Sequence, residues 1–332
     1  MEKVLLAHGS GGIETARLIR EVFAPYLGNE ILEAGEDGGV IDLPFGKIVT
    51  STDGFSVSPL FFPGGNIGKL AICGSANDVA MMGAKPKYIT CSFMIEEGFE
   101  IAKLRTILAS MGEELKKGGI KMLSGDTKVI PRGGVDGLFI TTTAFGSTEN
   151  PLSLSKVCEG DAIIGSGAVG THGAVIYASR EEMQLKSALE SDCAQLWEVV
   201  EPLLEADLRI KTMRDATRGG LAAVLNEWAE HQKLGILLKE EAIPVRDEVR
   251  GICEILGFEP YNLANEGMCV IALPKENASK ALEILHSFEL TRESSLIGEV
   301  IGEYKGRVVL ESAWKSRRFL EYPSGELLPR IC

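Results

Sequence analysis

The 332-residue chain is short of basic charge: 34 lysines and arginines stand against 47 aspartates and glutamates, a formal net charge of −13 at pH 7. A general nucleic-acid binder needs a basic face to neutralise phosphates, so this balance argues against one. It lends no support to binding an anionic membrane surface. It does not forbid an anionic substrate, because a divalent cation can invert the charge locally. Metal-ligand spacing is missing as well. None of the seven cysteines stands in a C-x-x-C pair and the four histidines are scattered, so a structural zinc site is not expected. The start, Met1-Glu2-Lys3 and a brief apolar run ending at His8, does not resemble a signal peptide. The longest uncharged stretch, 162–179, is broken by Gly165, Gly167, Gly170 and Gly173 and makes a poor membrane span. Short repeats and low-complexity segments are absent too. The expectation is a cytoplasmic protein with its cysteines as thiols, no nucleic acid and no membrane among its partners.

Glycine is what the chain has in excess, 38 residues, against about 7% in an average protein. The rest of the composition is ordinary for a globular protein. Helical and extended patterns alternate along the first half. Ala16, Ile19, Val22, Phe23 and Tyr26 share one face of a helix starting near Ile13. Strands are expected at 47–52, delivering Asp53 to its end, and at 88–95, 121–124 and 138–144. Helices are expected at 67–82 and from Ile101 to Leu115. Pro151 and its small polar neighbours mark a joint, giving domains at 1–150 and 151–315. The second half is again α/β, with strands at 161–165, 269–273, 296–301 and 307–310. Its helices should follow Gly219-Gly220 and span 277–286. Residues 316–332 are assigned to a mobile tail; its end, 321–332, has Pro323, Gly325 and Pro329 and no amphipathic period.

Several motifs carry possible chemistry. His8-Gly9-Ser10-Gly11-Gly12 precedes a helix, where free backbone amides and the helix N-terminus suit a phosphate; a flexible loop explains it about as well. Gly165-Ser166-Gly167-Ala168-Val169-Gly170 matches the dinucleotide fingerprint after a strand, but Thr171-His172-Gly173 is expected to break the helix that should follow. Asp53, Asp78, Asp126 and Asp215 each lie at an element end or beside small residues. Converging, they would suit magnesium, which takes carboxylate, water and phosphate oxygens. Singly, each is more simply a turn or cap residue. Glu266, before an apolar strand, is a candidate general base or a turn carboxylate, and Lys128 a phosphate contact or a solvated side chain. His172, between Gly170 and Gly173, is either catalytic or a turn support. Cys332 is the last residue and not in a prenylation box. A thiol on an untethered tail can take up a group and carry it to an active site.

Taken together these motifs are similar to those of the carbamoyl dehydratases of nickel–iron hydrogenase maturation, the HypE family. That family belongs to the superfamily of aminoimidazole ribonucleotide synthetase, selenophosphate synthetase and thiamine-monophosphate kinase. The resemblance covers essentially the whole chain. It rests on His8-Gly-Ser-Gly-Gly12, Thr52-Asp-Gly-Phe55, Gly65-Asn-Ile-Gly-Lys-Leu70, Asn77-Asp78, Gly125-Asp-Thr-Lys-Val129, Arg214-Asp-Ala-Thr-Arg-Gly-Gly220 and Asn265-Glu-Gly267. The tail Pro329-Arg-Ile-Cys332 is the most specific of them. Selenophosphate synthetases carry a reactive cysteine or selenocysteine in the first glycine loop, whereas the first cysteine here is Cys73.

The resemblance implies a two-domain PurM-like α/β fold: an N-terminal domain whose mixed sheet closes a shared β-barrel in a homodimer, a C-terminal α/β sandwich and a flexible tail. It implies ATP and Mg2+ between the domains, held by His8, Gly9, Ser10, Gly11, Gly12, Asp53, Asn77, Asp78 and Asp126, with Asp215 a further metal ligand. HypF, the carbamoyltransferase, would load the thiol of Cys332, and the HypC–HypD complex that carries iron would receive the product. ATP would phosphorylate the carbamoyl oxygen, Glu266 would remove amide protons and Lys128 would position or relay. Other readings remain. A kinase or synthetase of a free metabolite would not need Cys332. A passive thiol carrier would not hydrolyse ATP. An oxidoreductase would bind a nicotinamide at Gly165–Gly170.

Overall fold

The computed structural model describes residues 2–9, 13–33, 46–180, 188–323 and 330–332. Ser10, Gly11 and Gly12 of the glycine-rich start lie outside the described residues. The N-terminal part opens with a single 3-10 turn, Leu6–Gly9. Helix α1 (Ile13–Leu18) runs through a π turn at Ile19–Phe23 into α2 (Ala24–Leu27), and short α3 (Glu30–Glu33) follows.

Then come β1 (Lys47–Phe55), the two-residue pair β2 (Phe61–Phe62) and β3 (Gly65–Asn66), and α4 (Ile67–Met81). The domain is completed by β4 (Lys85–Glu96), α5 (Ile101–Gly118), β5 (Lys121–Ile130) and β6 (Leu138–Thr148). The sheet order is β1-β6-β4-β5, with only β4 and β5 parallel, so the sheet is mixed as expected. Two strands are longer than the sequence pattern implied. Asp53 lies inside β1 and Asp126 inside β5, because both strands continue through polar residues that lack the apolar alternation used to find them.

Helices cover one face of this sheet. Phe55, Cys91, Phe93 and Ile140 point into that buried layer, where Phe23 meets Phe93 edge to face at 5.0 Å. Helix α4 is buried almost all round. Asn66 caps it, accepting from the amides of Gly68 and Lys69 at 2.9 and 3.2 Å. Gly68 allows α5 to approach: a Cβ there would sit 2.4 Å from the Ile107 carbonyl. The opposite face of the sheet carries no covering element among the described residues, and Ile48 and Met94 are exposed on it.

The second part contains β7 (Asp161–Gly165), α6 (Thr171–Ala178), α7 (Trp197–Glu205), β8 (Thr212–Asp215), α8 (Gly220–Gln232) and β9 (Gly235–Lys239). It continues with α9 (Asp247–Leu256), β10 (Cys269–Pro274), α10 (Ala278–His286), β11 (Ser295–Ile301), β12 (Val308–Glu311) and β13 (Arg317–Phe319). Seven strands form one sheet in the order β13-β12-β9-β11-β7-β10-β8. Strand β10 is buried on both sides. Val270 and Ala272 pack with Leu221, Leu225 and Trp228 of α8, while Cys269, Ile271 and Leu273 pack with α7 and α10. This is a sandwich of helices on both faces of a sheet. The sheet reaches past residue 316, since Arg317–Phe319 pairs with β12.

Helix α6 begins at Thr171, against the expectation that Thr171-His172-Gly173 would break it. Gly170 turns the chain at φ 80° and Gly173 admits the backbone at Ala264, 2.9 Å from where its Cβ would be. The glycines there serve packing. The fingerprint turn is also filled from within. Asn265 Oδ1 accepts from the Gly170 amide at 2.7 Å, and its Nδ2 donates to the Ala168 carbonyl at 2.8 Å. The amide that would meet a pyrophosphate is already bonded.

Candidate functional site

Three carboxylates meet where the two parts join. Asp53 comes from β1, Asp78 from the last turns of α4 and Asp215 from the end of β8, beside α4. Ser51 donates to Asp78 at 2.5 Å. Burial, then the neighbouring Asp53, pushes the Asp78 carboxyl up to about 6. Burial, then Asp78 and Asp53, pushes Asp215 up to about 8. Asp215 Oδ2 is buried with no hydrogen-bond partner. Carboxyls that raise one another's pKa and leave an oxygen orphaned suit a hard divalent cation, which would take up the orphaned oxygen and offset the repulsion. Among the described residues no ready-made set of three ligating groups is preformed, so a cation would draw them together.

Glu266 lies next to this cluster, 2% exposed. Burial raises its carboxyl well above the usual range, and the Cys332 thiol, then Cys193 and Asp215, add to that. Its backbone is held from the segment before α7. Asp192 accepts from the amides of Glu266 and Gly267, each at 3.2 Å, and from Asn265 Nδ2 at 2.7 Å. Asn77, expected at the nucleotide, has its amide engaged elsewhere. It donates to the carbonyls of Ala194 (3.0 Å) and Glu266 (3.4 Å) and accepts from the Leu196 amide at 2.8 Å. That stitches α4 of the first part to the backbone carrying Glu266.

The C-terminus ends inside this junction. The Ser56 amide donates to the Cys332 carbonyl at 3.0 Å and the Ser58 amide to the Arg330 carbonyl at 3.1 Å. Arg330 Nε donates to the Ser56 carbonyl at 2.8 Å and its guanidinium pairs with Asp136. Ile331 and Cys332 are buried in a core cluster to which both parts contribute. Arg218 Nε donates to Cys332 Sγ at 3.1 Å. The residue pattern implies a travelling tail, and here its last three residues are seated against the segment that follows β1. Arg218 was not singled out from sequence; it lies in the Arg214–Gly220 motif, three residues beyond Asp215.

Asp126 and Lys128 are placed differently. Asp53, Thr142, Cys91 and Gly125 are cross-strand partners in one row, while Ser92 and Met94 pair with Asp126 and Lys128. Side chains alternate faces along a strand, so Asp126 and Lys128 stand with exposed Met94 on the open face. Within one chain they do not join Asp53 and Asp78. The Leu6–Gly9 turn packs against β5. There His8 is buried, Nδ1 accepting from the Leu5 amide at 3.0 Å, and burial lowers its pKa.

Comparison with known proteins places these features. The N-terminal domain model of AIR synthase related proteins matches residues 35–148 and the C-terminal domain model residues 159–311. The chain is 44% identical over 339 residues to the carbamoyl dehydratase HypE of Escherichia coli K12, covering 100% of each. A crystal structure of the hydrogenase maturation protein HypE in complex with ATP superposes with a TM-score of 0.94, at 40% identity over 99% of both chains. The chain in a HypE–HypF complex matches at a TM-score of 0.81 and 41% identity, over 92% of this chain and 99% of that one.

Proposed function

The chain belongs to the HypE carbamoyl dehydratase family of AIR synthase related proteins, and on that premise we propose that it dehydrates an S-carbamoyl group on its own Cys332. The product is a thiocyanate, the source of cyanide ligands for nickel–iron hydrogenase, and ATP drives its formation. The observation that carries this reading is the seat of Cys332, with its thiol on Arg218 beside buried Glu266 and the Asp53, Asp78 and Asp215 carboxyls.

An amide oxygen leaves poorly, so the reaction needs that oxygen phosphorylated and two N–H protons removed. Glu266 is the base. Its raised pKa makes the ionised form a stronger proton acceptor, and Asp192 fixes the turn that presents it. Arg218 holds the sulfur. Asp53, Asp78 and Asp215 would hold Mg2+, which neutralises phosphate charge during transfer. The open face of the first sheet, with Ile48 and Met94 exposed, fits closure against a second copy. In that homodimer Asp126, Lys128 and the His8 turn would complete the nucleotide site. HypF would load the thiol and the HypC–HypD complex would accept the cyano group, in the cytoplasm.

Removing Cys332 tests the reading. Full-length protein incubated with the carbamoyl donor system and ATP should lose the mass of water from its carbamoylated form. The chain without Cys332 should still bind ATP but show neither species. Hydrogenase maturation supported by the shortened chain refutes the tail as substrate.

A further inference from the structure

His172 is fully buried in the second turn-forming glycine region, and neither ring nitrogen is free. Nε2 lies 2.9 Å from the Ile331 carbonyl oxygen and Nδ1 lies 2.7 Å from Ser191 Oγ. A carbonyl only accepts, so Nε2 carries the hydrogen and donates. Burial lowers the pKa of the ring and keeps it neutral. Nδ1 therefore accepts, and the Ser191 hydroxyl donates to it. Ser191 Oγ in turn accepts from the Cys193 amide at 3.1 Å, which fixes the hydroxyl. Phe62 packs edge to face on the ring at 5.4 Å. The imidazole has one tautomer and one orientation, and it points at the tail.

Besides its backbone pairs, the tail is held by Arg330 on the Ser56 carbonyl and Asp136 and by Arg218 on Sγ, none of which touches the Ile331 carbonyl. The Ser56 and Ser58 amides donate to the Cys332 and Arg330 carbonyls. The Ile331 carbonyl lies between those two in sequence and, among the described residues, is met by His172. A slip by one residue would turn that carbonyl away from His172 and carry Sγ off Arg218. Ser191 adjoins Asp192, which holds the Glu266 turn, so the same segment sets the tail and the base.

We propose that His172, oriented by Ser191, is a positioning residue that sets the register of the docked tail and thereby places Sγ of Cys332 between Arg218 and Glu266. The proposal rests on the carbamoyl dehydratase reading for its consequence, but its geometry can be tested without that chemistry. Three full-length variants suffice. His172→Phe keeps the ring against Phe62 and removes the donor. His172→Gln restores an N–H near the Nε2 position. A glycine inserted before Cys332 shifts the register and leaves the body untouched, so it stays informative if His172→Phe does not fold.

The first readout is alkylation of Cys332, located by peptide mass mapping. A thiol docked at 9% exposure is protected. Removing the donor leaves a buried carbonyl and hydroxyl unpaired, so alkylation should quicken about tenfold. It should return towards the wild-type rate in His172→Gln and be fast in the insertion variant. The second readout is dehydration of the carbamoylated chain. It should fall at least about tenfold in His172→Phe and in the insertion variant, with ATP affinity unchanged, and recover in His172→Gln. Wild-type alkylation and dehydration rates in His172→Phe, or in the insertion variant, overturn the proposal. A wild-type chain that shows protected Cys332 but no dehydration overturns the functional reading and leaves the register device standing.

Discussion

Asp215→Asn separates the electrostatic cost of the carboxyl cluster from its use. In the folded chain Asp215 titrates at about 8 because burial and two neighbouring carboxyls oppose its charge; unfolded, an aspartate titrates at about 3.9. Between those values the folded state holds a proton that the unfolded state has released. Stability therefore falls as pH rises through this window, by up to about 1.4 kcal/mol per unit. Asp78 releases its proton at about 6, so above that pH Asp215 dominates the slope. From pH 6 to 8 the wild-type protein, stripped of divalent cations, should lose about 2 kcal/mol from this one group, or about 3 °C in Tm. Asparagine has the shape of the protonated acid and cannot ionise, and its amide can donate to Asp53 or Asp78. Asp215→Asn should flatten the slope of Tm against pH over that interval and raise Tm at pH 8. Wild type should also be stabilised by magnesium more strongly at pH 8 than at pH 6, because the cation competes with the proton, and the variant should not. Differential scanning calorimetry in chelator, with and without added magnesium, reads both. A variant that keeps the wild-type slope from pH 6 to 8, or melts lower than wild type at pH 8 in chelator, refutes the account of Asp215.

Glu266→Gln removes the base while keeping its volume in a site where burial already favours the neutral acid. Dehydration should drop about 10²–10⁴-fold and the carbamoylated chain should accumulate by mass; a wild-type rate excludes Glu266 as base. Asn77→Ala breaks three hydrogen bonds between α4 and the backbone at Ala194, Leu196 and Glu266. It should cost about 3 kcal/mol in a urea titration, and a loss below about 0.5 kcal/mol would remove Asn77 from the junction.

The elements were legible where their periods were clean. The run at Asp161–Gly165 reads as a buried strand and is one, and Ile101, Leu104, Leu108, Met111 and Leu115 lie on the buried face of α5. The period failed where a strand carries functional polar residues, which is why β1 and β5 were read short of Asp53 and Asp126. It also failed at Gly173, where a glycine in a helix marks a close approach and not an end. Asp53, Asp78 and Asp215 could be named as candidates, but their convergence needs β1, α4 and β8 in place, and spacing along the chain does not encode that. Asp192 and Ser191 were missed for a different reason: they lie in an irregular segment with no period and no motif, and their role is to hold other residues.

The tail shows why a segment can look structureless in sequence and still have a defined seat. Amphipathic patterning reports side chains that bury area, whereas the last three residues dock through polar contacts: main-chain hydrogen bonds from Ser56 and Ser58, His172 on a carbonyl, Arg330 on Ser56 and Asp136, and Arg218 on the thiol. Each such bond is worth only about 0.5–1.5 kcal/mol net. A handful of them can hold the thiol in one register, and of the last three residues Ile331 and Cys332 are buried. A tail that must collect its group outside the cleft and react inside it needs that balance. An apolar, strongly patterned tail would have been easy to read and would have stayed docked.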